Sequence, residues 1–160
     1  MLVPESLLDL VQPWATLYGD SPAVSLAVVF LHLSALMVGG GRAMAADGEV
    51  LTARGPDTAL FSRLSRAHRV VIPALTLSAV TGALMTAADL EHFAQSSAYQ
   101  LKILVVALLL ANGLWMRFNE REAASIGGGA AFGRLRVSAF LSGTLWLLTL
   151  LAGCWLQVGG

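Results

Sequence analysis

Four apolar runs, at residues 22–41, 70–88, 101–116 and 137–157, alternate with segments that carry almost all of the charge. A hydrocarbon core of roughly 30 Å is crossed by about 20 helical residues. The pattern therefore predicts four membrane-spanning helices. The run at 101–116 is the shortest, and Lys102 and Arg117 at its ends are expected to reach towards their own interfaces. Short connections hold neighbouring spans antiparallel, so the expected fold is all-α, an integral membrane antiparallel four-helix bundle.

Ahead of the first run, Leu7, Leu8, Val11, Trp14 and Leu17 recur at helical spacing. Residues 5–18 read as an N-terminal amphipathic helix in the membrane interface, with Trp14 and Tyr18 at headgroup level and Pro13 weakening its continuity. Glu5 and Asp9 interrupt its apolar positions and it has no Lys or Arg, which is unlike a secretory signal.

Gly39-Gly40-Gly41 and Arg42 are expected to close the first span, and Asp89 the second. The helix of the second span is expected to begin early, at Pro56-Asp57, with Asp57 as its cap and residues 58–69 as an extension beyond the membrane. Gly127-Gly128-Gly129 reads as a flexible link. Helices in lipid associate through close packing and hydrogen bonds, which favours small residues at their seams. Ala74, Ser78, Gly82 and Thr86 stand four apart and form such a face, and Gly113 and Gly143 are expected to offer similar close-approach points. Pro73 is expected to kink the second span and free a backbone carbonyl.

Charge adds the orientation. Arg42, Arg54, Arg63, Arg66 and Arg69 lie between the first two runs, and Arg117, Arg121, Arg134 and Arg136 between the last two. Cytoplasmic loops are enriched in Lys and Arg, so both termini are expected on the periplasmic side of a bacterial inner membrane. At 56% hydrophobic and 12% charged, the chain is too apolar for an ordinary soluble domain. Zero formal net charge and the lack of a basic tract argue against a nucleic-acid partner. The single cysteine, Cys154, excludes an internal disulfide or a CxxC motif and is expected to be a small packing residue.

Ionisable groups inside a bilayer are costly and are candidates for function. His32 lies mid-span, on a face with Ser25, Ala35 and Gly39 that points to other helices. It could hold a haem iron or a copper ion, or form a hydrogen bond across the bundle. His68 stands just before the second run between Arg66 and Arg69, an arrangement suited to an iron ligand with guanidiniums meeting haem propionates. The two histidines differ in depth, so one shared site is strained and separate sites fit better. Met37, Met44 and Met116 fall at the depth of His68, and thioether with imidazole suits Cu(I). His92 reads as a surface residue and Asn112 as a bond across helices. There is no Ser-His-Asp set, phosphate loop or HExxH motif, and no Asp or Glu within the spans to relay protons.

Leu31-His32-Leu33, Gly39-Gly40-Gly41, Arg63, Arg66 and Thr81-Gly82 resemble small bacterial membrane proteins related to the copper-resistance CopD domain. With His68-Arg69 and Asp89, the chain is also similar to a group of four-span bacterial proteins without assigned activity. The resemblance covers about residues 25–117. It implies copper uptake or, by relation to four-helix membrane cytochromes, b-type haem held between histidines. The last two spans carry no histidine, which departs from the cytochrome pattern.

Three readings follow. The first is a membrane subunit with one b-type haem for electron transfer in a larger complex, liganded by His32 or His68 and steadied by Arg66 or Arg69. The second is copper binding or transport by His32 or His68 with Met37, Met44 or Met116. The third is an accessory subunit without a cofactor, packed against other membrane subunits or its own copies. Few polar loops leave little room for catalysis by the chain alone.

Overall fold

The computed structural model describes residues 3–126 and 129–159. Six helices follow one another: α1 (Glu5–Asp20), α2 (Pro22–Thr52), α3 (Thr58–Ala88), α4 (Leu90–Gln95), α5 (Ser97–Ile126) and α6 (Gly129–Gly159). Among the described residues there is no strand. α2, α3, α5 and α6 are each apolar enough, over a long enough stretch, to cross a membrane. The chain is a multi-pass membrane protein built as an all-α bundle. Of the expected link Gly127-Gly128-Gly129, the first two residues lie outside the described residues, and Gly129 is the first residue of α6.

The four long helices have 30 or 31 residues, so each is about 45 Å long. That exceeds the hydrocarbon core by roughly ten residues. The excess projects at the end where Arg42, Arg69, Arg117 and Arg136 interrupt the apolar stretches. A core binds the helices there, with Ala46 and Val50 of α2, Leu60, Leu64 and Ala67 of α3, Met116 of α5, and Phe132, Leu135 and Ala139 of α6. Salt bridges brace the same end: Glu49 to Arg63 at 2.6 Å and to Arg42 at 3.8 Å, and Glu122 to Arg134 at 2.6 Å. Arg136 ties α6 to the last turn of α2 through the Leu51 carbonyl at 2.9 Å.

The helix of the first span does not stop at its glycines. α2 runs through Gly39, Gly40 and Gly41 to Thr52. Gly39 and Gly40 are buried where neighbouring helices come close: a Cβ on Gly39 would stand 2.9 Å from the Ala74 Cβ, and one on Gly40 would stand 3.2 Å from the Trp146 ring. Glycine serves contact here and not termination, because backbone hydrogen bonding in lipid keeps a helix intact even at glycine. α3 starts where its sequence signal places it, with the Asp57 carboxylate accepting from the Ala59 amide at 3.2 Å.

The bundle is two hairpins. In α2–α3, the ladder of Ala74, Ser78 and Gly82 faces α2, and Thr86 meets Tyr99 at 3.1 Å. In α5–α6, Asn112 Nδ2 donates to the Ser138 carbonyl at 3.0 Å and the Ser138 hydroxyl donates to Asn112 Oδ1 at 3.1 Å. Gly113 and Gly143 are not close-approach points: nothing lies within 4 Å of where their Cβ would be. Polar bonds, not glycine, make that seam. The hairpins join along α2 and α6, whereas α3 and α5 barely touch. At the other end, α1 docks on α3 and α2, with the Trp14 indole donating to the Leu84 carbonyl at 2.7 Å. The link after α3 holds the short helix α4. Cys154 is exposed, so it does not pack within the bundle as expected.

Candidate functional site, the cleft between α3 and α5

Where α3 and α5 part at the arginine-bearing end, a cavity of about 560 Å³ opens. Ser65, His68, Arg69, Ile72 and Pro73 of α3 line one wall, and Arg117, Glu120 and Arg121 of α5 line the other. The sets arise from helical spacing. Residues 65, 68–69 and 72–73 recur on one face of α3, as 117 and 120–121 do on α5.

His68 Nδ1 and Glu120 Oε2 face each other across the cleft at 3.6 Å. Burial, followed by the Arg117 charge, lowers the pKa of His68 below its ordinary value. Burial raises the pKa of Glu120, against the pull of Arg117 and Arg121. Both directions disfavour the charged forms, so at neutral pH His68 meets Glu120 mainly as the neutral imidazole and the contact is not an ion pair.

The arginines around it form no close ion pair among the described residues. Arg42, Arg63 and Arg134 each have a carboxylate within 4 Å. Among the described residues, Arg69, Arg117 and Arg121 have none. Pro73, on the same wall, has no N–H to give the Arg69 carbonyl its intrahelical bond. The cleft thus brings three arginines as donors beside the Glu120 carboxyl as acceptor.

The other singled-out residues lie elsewhere. His32 is at the α2–α3 seam, with Nδ1 3.0 Å from the Ser78 carbonyl and 3.1 Å from Thr81 Oγ1. Its ring fills the space over Gly82, where a Cβ would stand 3.2 Å from Cε1. Ser78 is ten residues beyond His68 on α3, about 15 Å along the axis, so the two histidines form no common site. Arg66 is exposed and donates to Ser62 at 2.8 Å, away from the cleft lining. Met37 and Met44 line a groove of about 310 Å³ between α2 and α6 with Trp146, and neither histidine lines it. Met37 is 74% exposed, while Met116 lies in the core. His92 is exposed beside Phe93. Among the described residues, no three His, Cys, Asp or Glu side chains gather to hold a metal.

Sequence reasoning missed Arg117, Glu120, Arg121 and Asp47 as site or core residues. The first three stand three and four apart, a spacing that was readable; that they face His68 depends on which helices are neighbours. Asp47, in the projecting part of α2, is 4% exposed and its Oδ2 has no hydrogen-bond partner. Burial pushes its carboxyl up to about 6, with the Ser142 hydroxyl of α6 acting the other way.

Comparison with protein-family models, with curated proteins and with solved structures finds no match, so the likeness to CopD-related proteins rests on the quoted residues alone.

Proposed function

We propose that this protein is an accessory subunit of a bacterial inner-membrane assembly, with no chemistry of its own and both termini periplasmic. The observation that carries the reading is how the interior polar side chains are used. His32 joins α2 to α3, Asn112 and Ser138 join α5 to α6, and Trp14 fastens α1 to α3. These groups spend their hydrogen bonds on holding helices together, as structural polar residues in lipid do. The orientation follows from the arginines clustered at one end. The test is to purify the chain from its native membrane in mild detergent, with cross-linking before extraction. A stoichiometric second chain is the expected result, and a lone monomer would refute the subunit reading.

A second reading, a b-type haem subunit with His68 as ligand, is favoured by one contact. Histidines that hold iron characteristically turn their other nitrogen to a carboxylate, as His68 Nδ1 turns to Glu120. When bound, haem would supply one-electron transfer. Arg69, Arg117 and Arg121 would meet its propionates, although the apolar lining of the cleft is limited to Ile72 and Pro73. A reduced visible spectrum separates the readings. A Soret band that disappears in His68→Ala supports haem, and a flat spectrum from native membranes removes it.

A further inference from the structure

We infer that the α3–α5 cleft binds the glycerol-phosphate headgroup of an anionic phospholipid, with its acyl chains lying in the opening between the two helices. Three observations lead there.

The first is charge. Among the described residues, three arginines with no carboxylate within 4 Å line this one cavity from two helices; Arg54, Arg66 and Arg136 have none either but line no part of it, and Arg42, Arg63 and Arg134 are paired. Guanidinium forks match the oxygens of a phosphate, and Arg117 and Arg121, four apart on α5, present two of them from one face.

The second is the acceptor. A bare phosphate has little use for the Glu120 carboxyl that lines the same cavity. A headgroup with hydroxyls beside its phosphate can donate to it. Phosphatidylglycerol has that combination. Phosphatidylcholine, with no net charge and no hydroxyl or N–H to donate, does not.

The third is depth and shape. The cleft lies where the apolar stretches of α3 and α5 give way to arginine, the level of a headgroup. Ile72 and Pro73 form its apolar side. One turn into the membrane from Arg117, Gly113 has open space where a side chain would be, and α3 and α5 barely touch. An acyl chain can descend from the phosphate along this gap, which a soluble phosphate would leave unused.

The test is native mass spectrometry of the full chain in detergent, titrated with phosphatidylglycerol, phosphatidylcholine or soluble glycerol 3-phosphate. Preferential retention of one phosphatidylglycerol is expected, weakening as salt rises from about 0.05 to about 0.5 M. Removing two arginines in R117Q/R121Q is expected to weaken retention roughly 25-fold, at about fivefold per arginine near a membrane surface. The exposed Arg54→Gln, at the same end but outside the cleft, should leave it unchanged. If R117Q/R121Q does not fold, the lipid and salt series on the wild-type chain decides. Equal retention of the two lipids overturns the proposal. So does full retention by folded R117Q/R121Q, or displacement of the lipid by glycerol 3-phosphate at equal concentration.

Discussion

Gly39 of α2 and Ala74 of α3 touch so closely that a Cβ on the glycine would stand 2.9 Å from the alanine Cβ. Both belong to helix backbones that cannot shift alone. Gly39→Ala is therefore expected to destabilise the protein by about 1–3 kcal/mol, the usual cost of overpacking. Ala74→Gly in the same chain should restore most of it. Gly40→Ala meets the Trp146 ring at 3.2 Å, which has more freedom to move, and should cost less. Gly41 has nothing within 4 Å, so Gly41→Ala should be neutral or stabilising through helix propensity. Thermal unfolding of the three variants in one detergent tests the order, and equal effects would contradict the packing.

His32 must carry its proton on Nδ1, because the Ser78 carbonyl at 3.0 Å can only accept. The Thr81 hydroxyl donates to the Leu77 carbonyl at 2.7 Å, which leaves its oxygen to accept from the same imidazole. His32→Ala should therefore lower stability by about 1 kcal/mol or more, since bonds between helices in lipid average about 0.6 kcal/mol and an unfilled space adds to the loss. The imidazole nitrogen resonances should report the Nδ1–H tautomer; the Nε2–H form would rule out this bond.

Asp47 offers a pH signature. Its folded pKa of about 6 lies above the ordinary value of 3.8, so the folded state binds the proton more tightly than the unfolded chain does. Such a group contributes stability that is fully present below the unfolded value and is lost as pH rises through the folded one. Between pH 5 and pH 8 this amounts to about 1 kcal/mol. Asp47→Asn cannot ionise, so wild-type stability minus variant stability should fall by that amount over the same range. A difference independent of pH would mean that Asp47 is solvated.

Asn112→Ala removes both side-chain bonds of the pair, and Ser138→Ala leaves the buried Asn112 Oδ1 without its donor. Asn112→Ala and Ser138→Ala should each cost about 1–2 kcal/mol, and the double variant less than their sum. Additive losses in a double-mutant cycle would show that the pair is not coupled.

Much of the fold was readable because membrane helices advertise themselves by length and charge. Asp57 announced the start of α3 through cap chemistry. Ala74, Ser78 and Gly82 announced their face by recurring every four residues. Glycine was ambiguous, since its lack of a side chain suits a helix end, a close contact or a gap equally well. Gly39 is a contact, and Gly113 faces open space. Asp47 looked like any hydrophilic residue beyond a span, and only the meeting of α2 with α6 buries it. The cleft was half visible. His68 and Arg69 stood out beside a span, but Glu120, Arg117 and Arg121 gain meaning only from the neighbouring helix. Helix periodicity shows which residues share a face, and it says nothing of which faces meet.

The separation of α3 from α5 makes the molecule accessible from the side. A guest entering there travels within the plane of the bilayer and never crosses bulk water. Its occupancy would then follow mole fraction in the surrounding leaflet, not molarity in the medium. A cell could fill or empty such a cleft by changing its lipid composition, with no change in any dissolved metabolite.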